Sequence, residues 1–212
     1  MATLIQGRPY EVSSSLLSRS SVDTWTIETR QPDRTEATSI PTQAECAAQP
    51  YDLVMGTLVN AATVDDAAGI AHVNVASWRQ AYAHLLSPGF LARISEQDIA
   101  NGFRRALELG RTVWVARVDD QIVGFAVARE PREENPPRDL ELGLIYVLPG
   151  NHGSGLAQPL LDAAIGTAPC MLWVASDNPR AHAFYRRNGF SFDGATKIED
   201  QWENMQTSRM IR

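Results

Sequence analysis

Cysteine is almost missing from this chain. Cys46 and Cys170 are the only two, far apart and in no CxxC or Cys/His spacing. Neither a disulfide framework nor a zinc site can be built from them, and a reducing, cytoplasmic setting is the plain expectation. Basic charge is short as well: 19 Lys and Arg stand against 25 Asp and Glu, for a formal net charge of −6. A nucleic-acid surface would need a basic excess or stripe, so no nucleic-acid partner is expected. A negative field favours a cationic small molecule or peptide instead. Long apolar runs are also lacking. None approaches the ~18–20 residues that span a bilayer, and the N-terminus shows no basic-then-apolar signal pattern. No membrane partner is therefore expected. His72, His84 and His182 have no metal-ligand spacing, so no metal is expected either.

What is present is a 212-residue chain with 44% hydrophobic residues, enough for one well-cored domain with length to spare. The spare length sits at the front. Residues 1–55 are rich in Ser, Thr, Gln and Pro, with one alternating stretch, Thr24–Thr29, of strand character. They are expected to form an N-terminal extension, either an arm or extra strands, ahead of a domain over 56–212.

From Thr57 the patterns become regular. A short strand over Thr57–Ala61 leads to Thr63, a helix cap with Asp65 and Asp66 in the first turn behind it. Apolar positions from Ala67 to Tyr82 share one broad helical face. A second helix spans Glu96–Leu109 and stops at Gly110. Strands over 112–117 and 122–127 meet through Asp119-Asp120-Gln121, a hairpin signal. A Pro-rich loop leads to a strand over Leu140–Val147, a Gly-rich loop and an apolar helix. Then come a buried strand at Met171–Ala175, a helix from Pro179 to Arg187 and two terminal strands. This order predicts an α/β fold, a single domain with a mixed central sheet flanked by helices.

The loop His152-Gly153-Ser154-Gly155-Leu156-Ala157 joins a strand end to a helix start. A helix start offers unpaired N–H groups and the positive end of the dipole, which together bind phosphate without a basic side chain. Several other phosphate and nucleophile motifs fail here. No Lys-Ser/Thr pair follows the second glycine, Gln158 breaks a GxGxxG pattern, and Ser154 is not spaced as GxSxG. An ordinary strand–helix turn remains open for the loop taken alone.

Downstream, Asn178-Pro179-Arg180-Ala181-His182-Ala183-Phe184-Tyr185-Arg186-Arg187-Asn188-Gly189-Phe190 resembles the N-x-x-A-x-x-F-Y-x-x-x-G-F segment of the GNAT superfamily of acyl-CoA-dependent N-acyltransferases. The Gly-rich loop one strand earlier is similar to that family's Arg/Gln-x-x-Gly-x-Gly/Ala motif, and the resemblance covers roughly residues 57–212. Two positions depart from it: His152 heads the loop where a basic residue or Gln is usual, and Pro159 stands early in the following helix.

The resemblance implies acetyl-CoA as cosubstrate, with its pyrophosphate on His152, Gly153, Ser154, Gly155, Leu156 and Ala157. The backbone of Ile145, Tyr146 and Val147 would pair with pantetheine. Tyr185 would protonate the departing thiolate, which a phenol of pKa near ~10 can do for a thiol near ~8.5. Glu141, on the strand leading to the loop, is the candidate general base. Strict alternation puts it on the face of Gly143, Ile145 and Val147. Asn178 is a contact to CoA, a helix cap ahead of Pro179, or both. Trp78 and Tyr82, one helical turn apart on the helix that borders the acceptor in this family, would hold a cationic amine by cation–π contact or simply pack the core. Arg186 and Arg187 form a solvated face within reach of the 3′-phosphate. The expected reaction is acetyl transfer to a primary amine of a small molecule by direct attack in a ternary complex. A protein lysine or N-terminal acetyltransferase and a catalytically silent CoA-binding sensor are the alternatives. Relatives are often dimers, so a homodimer is among the expected partners.

Overall fold

The computed structural model describes residues 57–212; the expected N-terminal extension, with its strand at Thr24–Thr29, lies outside the described residues. Seven strands form one sheet in the order β1-β2-β3-β4-β5-β7-β6. They are β1 (Thr57–Ala61), β2 (Trp114–Val118), β3 (Gln121–Arg129), β4 (Glu141–Val147), β5 (Met171–Ala175), β6 (Ser191–Glu199) and β7 (Met205–Ile211). All neighbours are antiparallel except β4 and β5. The helices are α1 (Ala67–Ala81), α2 (Pro88–Ala92), α3 (Glu96–Glu108), α4 (Ala157–Ile165) and α5 (Pro179–Arg187).

Local chemistry accounts for the boundaries. Asp66 Oδ2 accepts from the Thr63 backbone N–H at 2.8 Å, fixing the turn that leads into α1. Ser95 Oγ accepts from the Asp98 amide to start α3, and Leu109 and Gly110 end it, Gly110 at φ 74°. The β2–β3 hairpin turns on Asp119 and Asp120, both at positive φ (48° and 62°), the geometry that short carboxylate side chains tolerate in a two-residue turn. The short α2 is absent from the pattern of long periodic segments. Its signature is local: Ser87 Oγ accepts from the Phe90 amide, and Pro88 occupies the first turn.

Two apolar layers sandwich the sheet. On one face α1 and α3 bring Ile70, Val73, Trp78 and Phe103 against Val115, Phe125, Leu144 and Tyr146. On the other, α4 and α5 bring Leu160, Leu161, Phe184 and Tyr185 against Ala126, Ile145, Val147, Leu172 and Val174. Among the described residues no helix is long and apolar enough to cross a membrane.

The parallel pair at the centre barely pairs at all. Its single register position is Glu141 opposite Met171, with the Met171 amide donating to the Leu140 carbonyl at 2.9 Å. Beyond that root the strands part toward Val147 and Ala175. At the root, Glu141 is 0% exposed and Arg129 Nη2 donates to its Oε1 at 2.7 Å across the β3–β4 ladder. Removing one partner of a buried ion pair leaves an uncompensated charge. Glu141→Ala is thus expected to cost about 3–5 kcal/mol of stability, read by urea unfolding; a loss under about 1 kcal/mol would show that the pair does not hold the root.

Candidate active site

The register of β3 and β4 slips by one residue: Val127 faces Leu144, Ala128 faces Leu142, and Gly143 has no partner. This bulge changes which face each side chain takes. Leu142 joins Ile145 and Val147 in the α4–α5 layer, while Leu144 and Tyr146 face α1. Glu141, preceding Leu142, therefore points to the α1 side with Tyr146. Strict alternation placed it with Ile145 and Val147, and the extra residue at Gly143 corrects that. Gly143 also leaves room for the root ion pair, since a Cβ there would stand 3.2 Å from Arg129 Nε.

Past the bulge the ladder fixes which peptide groups look into the gap. The Leu148 amide donates to the Val123 carbonyl at 2.7 Å. In an antiparallel ladder alternate residues bond to the same neighbour, so Tyr146 bonds toward Phe125 on β3. Ile145 and Val147 turn their peptide groups the other way, toward the space between β4 and β5. Of the three residues expected to line that space with backbone, Ile145 and Val147 do so and Tyr146 does not. Tyr146 contributes its side chain, whose hydroxyl accepts from Trp78 Nε1 at 2.8 Å.

The gap ends at the Gly-rich loop. The loop is tied to itself: the Asn151 amide donates to the Leu148 carbonyl, and the Ser154 hydroxyl and amide both donate to the Asn151 carbonyl. Gly153 and Gly155 sit at φ 83° and 86°, a left-handed backbone that a side chain would strain. The amides of Gly153, Gly155, Leu156 and Ala157 meet no acceptor among the described residues. Pro159 is the third residue of α4. Its missing N–H belongs to the first turn, which has no intrahelical acceptor anyway, so it costs the helix no bond. A cavity of about 410 Å³ opens over these amides. Val147, the loop, and Arg180, Phe184 and Arg187 of α5 line it, and no carboxylate does. In a chain of net charge −6, that is a local site for an anion.

Asn178 caps α5, its Oδ1 accepting from the Ala181 amide at 3.1 Å. Tyr185, next to the lining residue Phe184 on α5, is 0% exposed, and its hydroxyl has no hydrogen-bond partner among the described residues. Burial, then the nearby Tyr146 and Cys170, push its ionisation well above the ordinary tyrosine value, so the phenol keeps its proton throughout the neutral range. Tyr82 and Tyr146 are equally buried and raised for the same leading reason. The Tyr82 and Tyr146 hydroxyls lie close enough for each to bear on the other's ionisation.

Trp78 and Tyr82 do not present a face to a ligand. Trp78 is 9% exposed and held edge-on between Tyr82 and Trp202, with ring centroids 5.1 and 5.4 Å away. Tyr82 is fully buried. The cation–π expectation is corrected accordingly: both pack the core, and Trp78 also orients the Tyr146 hydroxyl. A ring that meets two cations is Trp173, with Lys197 Nζ 4.2 Å and the Arg209 guanidinium 5.6 Å from its centroid, and Glu133 accepts from both Trp173 Nε1 and Arg209 Nη1. Sequence patterning gave no sign of this network, because Glu133 comes from the irregular Pro-rich loop. It also passed over Arg180, whose part depends on a histidine 28 residues upstream. Among the described residues no cluster of His, Cys, Asp and Glu could hold a metal.

The family model described as Acetyltransferase (GNAT) family matches residues 75–190, from within α1 to the end of the α5 motif. The chain belongs to the GNAT acetyltransferase family. An uncharacterized N-acetyltransferase of Mycobacterium tuberculosis is 37% identical over 90 residues, 40% of this chain and 55% of that protein. The chain thus spans about half the length of that relative. A ribosomal-protein-alanine N-acetyltransferase from Brucella melitensis superposes with a TM-score of 0.58 at 19% identity, over 73% of this chain and 98% of that one. YncA of Salmonella typhimurium, solved with acetyl-CoA, gives 0.56 at 17% identity over 74% and 93%. At such identities these two establish the shared GNAT fold.

A buried hydroxyl without a partner carries a desolvation cost of about 1–3 kcal/mol. Tyr185→Phe is therefore expected to leave the ligand-free GNAT domain as stable as wild type or more so. A loss of more than about 1 kcal/mol on urea unfolding would show that the hydroxyl is bonded in the free protein.

Proposed function

We propose that this protein is an acetyl-CoA-dependent N-acetyltransferase acting on a primary amine of a small molecule. The observation that carries the reading is the parted β4–β5 pair, which directs the backbone of Ile145 and Val147 into a gap that ends at the free amides of the phosphate loop. An extended, amide-bearing chain ending in a pyrophosphate matches both parts.

When bound, acetyl-CoA supplies an activated acyl group and a thiolate leaving group. The chain's residues do the rest. The amides of Gly153, Gly155, Leu156 and Ala157 take the pyrophosphate at the positive end of α4. Ile145 and Val147 pair with pantetheine as a neighbouring strand would, and hold the thioester carbonyl oxygen against a backbone N–H. Tyr185 donates its proton to the departing sulfur, and its unpartnered hydroxyl acquires an acceptor there. An alkyl ammonium with pKa near ~10.4 must lose a proton before it can attack. Glu141 has one oxygen committed to Arg129 and the other, Oε2, buried without a partner on the α1 side. In this reading Oε2 removes that proton through water. Neither cysteine lies in the site motifs, so attack is direct and no acyl-enzyme is formed.

Acetyl-CoA at about a hundred times its Kd should stabilise the protein by about 2.7 kcal/mol, seen as a raised Tm; no shift at millimolar ligand would remove the reading. A panel of small amines, lysine peptides and free N-termini, followed by thiol release, separates the acceptor classes, and binding without turnover on any of them would leave a CoA sensor. Tyr185→Phe should lower kcat by about 10²–10⁴-fold with acetyl-CoA affinity retained; an unchanged kcat would take the acid role from Tyr185.

A further inference from the structure

His152 stands where two neighbours make opposite demands on one imidazole. Its Nε2 is 3.0 Å from the Val147 carbonyl oxygen, and its Nδ1 is 2.8 Å from Arg180 Nη1. A carbonyl only accepts, so Nε2 must carry the proton. A guanidinium only donates and never gives up its charge, so Nδ1 must accept. One species satisfies both: the neutral ring protonated at Nε2. Burial, with the Arg180 charge adding to it, holds the His152 pKa below the ordinary histidine value, which agrees with that species at neutral pH.

The link joins three parts of the site. Val147 ends the strand whose backbone faces the gap, His152 heads the phosphate loop, and Arg180 stands in the first turn of α5. The Arg180 side chain is long and its residue exposed, so without an anchor it would sample many rotamers and give up that freedom on binding an anion. Anchored through one nitrogen, it keeps its remaining N–H groups over a cavity that contains the loop amides, Arg187 and no carboxylate. The charged groups next along the adjoining elements are engaged elsewhere. Asp162 of α4 accepts from Gln158 Nε2, and Asp177 ahead of α5 stands 3.8 Å from His84.

We propose that His152 is a positioning residue that holds Arg180 as a ligand for the pyrophosphate of CoA. The inference rests on the acetyl-CoA reading above. Arg180 touches the anion, and His152 acts through Arg180 alone, so the effect of losing His152 depends on Arg180 being present and not on Arg187.

The test is a double-mutant cycle on CoA affinity by calorimetry, with CoA and 3′-dephospho-CoA as probes and circular dichroism confirming that each variant is folded. His152→Ala should weaken CoA binding about tenfold, the worth of one lost charge-assisted contact. It should do so equally in an Arg187→Ala background, and by less than about twofold in an Arg180→Ala background. His152→Gln keeps one donor and one acceptor and should recover most of the loss. The same coupling should appear with 3′-dephospho-CoA; coupling seen with CoA only would move Arg180 to the 3′-phosphate and overturn the assignment. An undiminished His152→Ala effect without Arg180, or no effect at all, would also overturn it. Wild-type protein that binds neither probe would instead remove the acetyl-CoA reading on which the inference stands.

Discussion

Strands β4 and β5 meet at Glu141 and Met171 and then diverge, and a sheet split at its centre leaves peptide groups that the ladder does not pair. Such groups are costly when buried, so each needs a partner or an opening to solvent or ligand. The surrounding residues divide that task. The Arg129–Glu141 pair closes the root. The Gly143 bulge turns Ile145 and Val147 into the phase that faces the gap. At the mouth, His152 takes the Val147 carbonyl. What is left unpaired lies between root and mouth, the stretch that the proposed function gives to pantetheine.

The second constraint is the environment of the phenols. Tyr82, Tyr146 and Tyr185 are all fully buried, and burial holds each of them protonated. Two of them spend their hydroxyls near each other and on Trp78. Tyr185 has no such outlet. A buried hydroxyl left unsatisfied calls for an account, and in the acetyl-CoA reading Tyr185, next to the cavity-lining Phe184, would find its acceptor in the ligand.

Much of this was legible in the sequence, for reasons that are local. The Thr63 and Asn178 caps, the Asp119-Asp120 turn and the glycines at 153 and 155 each state their geometry in a few adjacent residues. The loop and the Phe184-Tyr185 segment together carried the family resemblance. The failures are equally physical. Alternation could not foresee the bulge at Gly143, because the slip is decided by the partner strand, and so Glu141 was assigned to the wrong face. Trp78 and Tyr82 were left between cation binding and core packing because helical spacing says which residues share a face but not what covers it; Trp202, more than a hundred positions away, packs on Trp78. Arg180 was silent because it meets His152 only in the folded chain.

Pro159 closes the account from another direction. It breaks no helix bond, and its ring fixes φ near the value that the first turn of α4 needs, just behind the glycines. Two glycines lend the loop conformational freedom, and the proline takes some of it back before any ligand arrives. In the unfolded chain such a restriction is worth about 0.4–1 kcal/mol. In the acetyl-CoA complex proposed above, amides set in advance would leave less of the binding free energy to be spent on ordering them. The loop would then bring readiness to a cavity whose positive charge comes from Arg180 and Arg187.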